Sequence, residues 1–213
     1  MNDDRQLLLN YAEERSETAF AELVNRHLDM VYSAALRVVR GDTHLASDVA
    51  QIVFAELARK AATLPCDVLL AGWLYRCASF TAVKAVRSER RRREREQTAM
   101  QMIAQNEQTE GDWEQIAPEI DEALNKLSEA DRNAILLRFL QRCDFRAVAS
   151  TLGVSEDAAQ KRVSRALEKL RNILRPAPAG AKWTITALAS VLAADAVTAA
   201  PAGLASSIIT TSL

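Results

Sequence analysis

A chain of 213 residues is long enough for one large core or two small ones. It is 49% hydrophobic but only 5% aromatic, with six Gly and five Pro, and that balance with abundant Ala, Leu, Arg and Glu predicts an all-α protein. A formal net charge of −1 excludes a uniformly cationic body, so any nucleic-acid contact must come from local patches.

Cys66, Cys77 and Cys143 lack CxxC spacing and His27 and His44 sit in no ligand motif, so no metal site is expected. Sparse, odd thiols suit a reducing compartment. The start, MNDDRQLLLNYAEERSE, lacks the basic-then-apolar layout of a secretion signal, and a cytoplasmic location follows as the expectation. No nucleophile–base pair, metal cluster or phosphate loop is present. The chain is therefore read as no enzyme, with no catalytic residue and no cofactor.

The first predicted helix has Phe20, Leu23, Val24, Leu28, Val31, Ala34, Ala35 and Val38 on one buried face and ends at Gly41. A second runs from about Thr43, with Leu45, Val49, Ile52, Val53 and Leu57 inward, and Pro65 marks its limit. A third begins near Leu69 with Leu70, Trp73, Leu74, Cys77, Phe80 and Val83 as its apolar stripe. That stripe fades after Val86. Between Lys84 and Arg95 seven basic residues stand against two acidic ones, so a cationic helix end should project into solvent. Three amphipathic helices with short connections form a compact bundle over 1–97.

Residues 98–118 are polar, acidic and broken by Gly111 and Pro118, and read as a linker. A second helical domain is predicted over 119–176. Ile120, Leu124 and Leu127 close its first helix, and Ser128 caps a helix through Ile135, Leu136, Phe139 and Leu140.

Residues 144–171, DFRAVASTLGVSEDAAQKRVSRALEKLR, then read as a helix-turn-helix. Phe145, Val148, Ala149 and Leu152 pack the first helix, and Gly153 supplies the turn. Ser155 is the N-cap of the second. Ala159, Val163, Ala166, Leu167, Leu170 and Leu174 occupy its packed face, leaving Gln160, Lys161, Arg162, Ser164 and Arg165 outside. A helix carrying such donors fits the DNA major groove. A plain helical hairpin with a solvated basic face is the alternative.

The tail, 177–213, is an apolar extension. Its run Trp183–Ala194 is too short to span a bilayer. A membrane contact through residues 179–213, docking on the protein's own helices and a weakly ordered tail all remain open.

The layout resembles the sigma-70 family of bacterial RNA polymerase sigma factors, in its extracytoplasmic-function group. Residues 20–92, with LASDVAQIVFAELARKA and GWLYRCASFTAVKAVRSERRR, are similar to region 2. Residues 122–174, with LSEADRNAILLRFLQ before the helix-turn-helix, are similar to region 4.

The resemblance implies an initiation factor that binds core polymerase, recognises promoter −10 and −35 elements and helps to open the duplex. By position, Asp48, Gln51 and Phe54 match the helix that docks on the polymerase clamp. Trp73, Arg76, Lys84, Arg87, Arg90 and Arg91 match the −10 surface. Ser155, Gln160, Lys161, Arg162, Ser164 and Arg165 match the −35 reader. The loop LPCDVLLAG, holding Cys66 and Asp67, matches the segment that traps a flipped −10 base.

An anti-sigma protein is a further partner that the resemblance implies, and the tail would be an autoregulatory or tethering element. Departures are Ile52 where the family usually has an acid, Phe80 for Asn, Lys84 for an acid, and Gln160-Lys161-Arg162 for Lys-Ser-Arg. Trp73, at helical spacing with Leu70, Leu74 and Cys77, reads more readily as core than as a base platform. Two other readings stand beside this one: a self-sufficient helix-turn-helix regulator and a membrane-associated helical adaptor.

Overall fold

The computed structural model describes residues 4–65, 68–99, 112–174, 184–194 and 197–212. Among these there are ten α-helices and no strand. The first half holds α1 (Asp4–Glu14), α2 (Glu17–Val38), α3 (Thr43–Lys60), a 3-10 turn at Ala61–Thr63, and α4 (Leu70–Ala99). The second holds α5 (Asp112–Lys126), α6 (Glu129–Ile135) running into a π turn at Leu136–Leu140, α7 (Phe145–Leu152) and α8 (Glu156–Leu174). Two short helices follow, α9 (Ile185–Ala194) and α10 (Leu204–Ser212).

Local chemistry explains the helix starts. Ser16, Asp42, Ser128 and Asp144 each precede a helix and accept from the backbone N–H three residues on. Gly153 closes α7 at φ 64°, a left-handed conformation that costs a residue without Cβ little. The turn between α7 and α8 is therefore the one its sequence announces.

The apolar stripes differ from expectation in three places. On α3 the inward set is Ala46, Val49, Ala50, Val53, Phe54 and Leu57, while Ile52 is 54% exposed. On α4 the buried face is Leu70, Ala71, Leu74, Tyr75, Ala78 and Ala82, leaving Phe80 57% and Val83 38% exposed. In both helices small alanines fill the close crossings and turn larger residues outward, which a count of large hydrophobic residues misses. The third difference is α2. Its expected single face is joined by His27, Met30, Tyr32 and Ser33, so residues 30–35 of this helix are buried on every side while Asn25, Arg26 and Asp29 stay exposed.

The enclosure comes from neighbours that the helical stripes did not foretell. Helix α1 packs on α2 through Leu7 and Tyr11, the latter against Phe20 with ring centroids 4.8 Å apart. Helix α5 packs on α2, α6 packs on α4, and α10 lies across α2 and α3. Helix therefore occupies both ends of the segment 98–118 that the sequence assigns to a linker. Pro118 sits inside α5, where it forgoes one backbone hydrogen bond while Ile120 and Leu124 anchor the following turns.

One hydrophobic cluster accordingly runs from Leu7 to Ile208 through both halves. A smaller one, Leu137, Val148, Ala149 and Ala159, fixes α7 on α8. The halves also share a polar seam. Arg37 of α2 donates to both carboxylate oxygens of Asp121 on α5, at 2.7 and 3.0 Å, and the Tyr75 hydroxyl of α4 donates to the same carboxylate. All three side chains are nearly or fully enclosed. Burial first, then the Asp121 charge, pushes the Tyr75 phenol well above its usual range and keeps it a donor.

Of the three tail readings, docking on its own helices is the arrangement found. Leu188 and Leu192 of α9, with Leu204 and Ile208 of α10, are buried in the shared core. Among the described residues no helix is long and apolar enough to cross a membrane.

Candidate nucleic-acid interface

The surface of α4 carries the first candidate patch. Positions 73, 76, 80, 84 and 87 recur every three or four residues and so share one side of the helix. Trp73 is half-buried against the core and Arg76, Phe80, Lys84 and Arg87 are exposed. The Arg76 guanidinium carbon lies 6.0 Å from the centre of the Phe80 ring. An exposed aromatic ring beside cations offers a π face and phosphate-binding charge together, the combination that holds unpaired bases. Phe80, assigned to the core stripe from its spacing, thus joins the patch. Its standing where Asn is usual was the available sign. Arg90 and Arg91 continue along the same helix, with side chains outside the described residues, as are Cys66 and Asp67.

The second patch lies on α8. Ala159, Val163, Ala166, Leu167 and Leu170 are buried, so the helix is fixed from one side, and Gln160, Lys161, Ser164 and Arg165 are exposed on the other. Lys161 Nζ is 2.7 Å from Asp157 Oδ2, and Arg165 Nε donates to the Lys161 carbonyl at 3.3 Å. Ser155 accepts from the Ala158 N–H at 3.3 Å, so its hydroxyl serves as the helix cap. Arg162 is half-buried and faces the charge of Asp131. Burial alone would raise the Asp131 carboxyl, but hydrogen bonds from Lys169 and Ser128 outweigh it and hold it below its ordinary value. Arg162 is thereby turned partly inward, and Gln160, Lys161, Ser164 and Arg165 form the outermost edge.

A third surface lies on α3. Asp48 and Ile52 are exposed, Gln51 is half-buried, and Phe54 is wholly enclosed. Phe54 therefore supports this face from beneath and contributes no area to it here. An exposed Ile between polar neighbours is the pattern of a protein contact more than of a phosphate contact.

No group of three or more His, Cys, Asp or Glu able to hold a metal ion occurs among the described residues. Cys77 and Cys143 are free, half-buried thiols, and burial pushes both above the usual thiol value.

Comparison with known proteins gives two family-model matches. "Sigma-70 region 2" matches residues 23–92 and "Sigma-70, region 4" matches residues 118–170, together more than half of the chain. The RNA polymerase sigma factor CarQ of Myxococcus xanthus is 28% identical over 162 residues, spanning 75% of this chain and 91% of that protein. Among solved structures, CnrH in complex with the cytosolic domain of CnrY is 24% identical, with a TM-score of 0.41, covering 82% of this chain and 98% of that one. The sigma factor RpoE in complex with the anti-sigma factor NepR from Bartonella quintana is 22% identical, with a TM-score of 0.33, covering 73% and 96%.

Proposed function

This chain belongs to the sigma-70 family of RNA polymerase sigma factors, in its extracytoplasmic-function group, and we propose that it directs core polymerase to promoters through three separate surfaces. It is a transcription initiation factor whose partners are RNA polymerase and promoter DNA. In this reading it performs no chemistry of its own, works in the cytoplasm where both partners are found, and answers to an anti-sigma partner.

The α3 face around Asp48, Gln51 and Ile52 docks on the clamp of core polymerase. The α4 face meets the −10 element: Arg76, Lys84 and Arg87 hold backbone phosphates while Phe80, with the edge of Trp73, receives an unpaired base. Arg90 and Arg91 extend the cationic track. The α8 edge, Gln160, Lys161, Ser164 and Arg165, enters the major groove at the −35 element, with Arg162 and the Ser155 turn behind it. What supports the reading most is that both family-matched helices bury one face and set exposed cations on the other, Arg76, Lys84 and Arg87 on α4 and Lys161 and Arg165 on α8. The tail is read as internal packing, because its four buried anchors are already covered by protein.

Run-off transcription on promoters with altered −35 bases tests the assignment. Substituting Lys161 and Arg165 by Ala should erase roughly 1–3 kcal/mol of discrimination between preferred and altered elements. It should also flatten the fall of binding with salt, since phosphate contacts are lost. Unchanged promoter choice would remove α8 from the reading.

A further inference from the structure

Helix α1 spends its apolar residues on two sides. Leu7 and Tyr11 are buried, while Leu8, Leu9 and Ala12 are only partly covered, and Leu9 is 37% exposed. Positions 5, 8, 9, 12 and 13 follow helical spacing and so share one face. That face borders a cavity of about 910 Å³. Leu8, Ala12, Met30, Leu70, Leu137 and Leu140 supply apolar wall from α1, α2, α4 and the π turn. Met30, Leu70, Leu137 and Leu140 are buried, whereas Arg5, Glu13 and Arg142 are exposed, so the cavity has a closed floor and an open mouth. Folded interiors rarely leave such space unfilled. Its size lies within the range of small-molecule sites, about 300–1,000 Å³.

Most of the polar lining is already spent. Asp4 bonds His27 and Arg26, and Asp29 Oδ1 accepts the Ala200 N–H at 2.9 Å. The Gln141 amide bonds the His27 ring, and the Thr151 hydroxyl donates to the Ala147 carbonyl at 2.9 Å. Arg5 is engaged within the protein. Two charged lining groups, Arg142 and Glu13, bond no other described residue. Because Gln141 meets His27 and His27 meets Asp4, the π turn and Arg142 lie at the N-terminal end of α1. Glu13 stands about 12 Å farther along that helix than Arg5, at 1.5 Å per residue. The Arg142 backbone is pinned from both sides. The Gln141 N–H donates to the Leu136 carbonyl and the Cys143 N–H to the Leu137 carbonyl, each at 2.9 Å.

We infer that the cavity binds a single-chain anionic amphiphile of the fatty-acid class, with its carboxylate on Arg142 and its chain along Leu8, Leu9 and Ala12 toward Glu13. Walls of carbon suit an apolar body. A guanidinium presents a planar pair of donors that matches a carboxylate. The acid at the far end repels a negative charge there and so sets the direction of the chain. Leu70 belongs to the region 2 match and Leu137 and Leu140 to the region 4 match, so the bound molecule touches both. The site uses none of the residues assigned to promoter or polymerase.

Isothermal titration calorimetry on the full chain with dodecanoate, kept well below its micelle-forming concentration, tests this. One molecule should bind per chain, and thermal unfolding should move upward as dodecanoate is added. Decanoate should bind about 15-fold more weakly, since each buried methylene is worth about fourfold in affinity. Dodecyltrimethylammonium, with the same chain and the opposite charge, should not saturate the site. Arg142→Gln should weaken dodecanoate binding about tenfold. Ala62→Trp sets an indole at an exposed position of the lining and should abolish binding while the ligand-free protein melts like the parent. Equal binding of the two dodecyl ions overturns the inference. So does undiminished binding by Arg142→Gln or by a folded Ala62→Trp, or the lack of any saturable uptake of dodecanoate.

Discussion

Helices α2 and α8 are of similar length, 22 and 19 residues, yet they meet their surroundings in opposite ways. Helix α2 is buried on all sides over residues 30–35, with α1, α3, α4, α5 and α10 packed on the helix. It meets those neighbours through polar ties as well as apolar packing. Helix α8 buries one stripe and leaves a basic edge in solvent. The contrast teaches where each kind of residue is spent. Polar groups on α2 are tied to distant parts of the protein, whereas Gln160, Lys161, Ser164 and Arg165 on α8 stay exposed, with Lys161 and Arg165 bonded only within their own helix.

Cutting the ties of α2 should cost the most. Asp121→Ala leaves the Arg37 guanidinium enclosed without its carboxylate, a loss of about 3–5 kcal/mol. For a chain of this size that lowers the melting temperature by roughly 10 °C. The double change Arg37→Met, Asp121→Leu should recover most of the loss in thermal unfolding, because no buried charge is then stranded. A single Asp121→Ala that melts like the parent would mean that the seam is not formed in solution.

The matching change on α8 should be silent in the same assay. Arg165→Ala removes an exposed side chain that bonds the Lys161 carbonyl in the preceding turn, so stability should move by less than about 0.5 kcal/mol. Promoter discrimination, read by run-off transcription, should nonetheless fall. If instead melting dropped and discrimination held, the two helices would not differ as described.

A subtler change sharpens the comparison at the seam. Gly72→Ala should favour α4 by about 1 kcal/mol as a helix, but its Cβ collides with Asn133. Exchange at α6 amides should quicken in the single variant and return toward the parent rate when Asn133→Ala relieves the clash. Equal rates in all three proteins would place Asn133 away from Gly72.

The smallest effect is expected from acid. Burial alone would raise the Asp4 carboxyl, but hydrogen bonds and charges from His27 and Arg26 dominate and lower it below 3.8. Asp4 bonds His27 Nε2 at 2.8 Å and Arg26 at 2.7 Å. A carboxyl lowered in the folded state contributes stability that is complete above its unfolded value and is lost as pH falls through the folded one. Acid titration followed by Tyr fluorescence should show α1 loosening below about pH 4. Asp4→Asn should abolish that limb and leave the region around α8 unmoved.

Much was legible in the sequence because it rests on neighbours a few residues apart. Ser128 as a cap, Gly153 in the left-handed turn, the packed stripe of α8 and its exposed Gln160, Lys161, Ser164 and Arg165 all follow from local spacing and side-chain chemistry. The two family-matched regions were legible by resemblance. Helix α1 escaped because its buried anchors, Leu7 and Tyr11, are few and lie in a polar stretch. Ile52 and Phe54 exchanged places because Ala46 and Ala50, not the larger residues alone, define the inner face of α3.

What the sequence by itself determined, then, is the helical alphabet of this protein and the bare basic edge of α8, since helix periodicity is a property of adjacent residues. Tertiary structure alone decided that Phe80 faces outward, that Arg37 meets Asp121 across 84 positions, and that Thr198 lies against Ser33. Those pairings depend on how separate helices stack. No local pattern encodes which distant partner will satisfy a buried polar group.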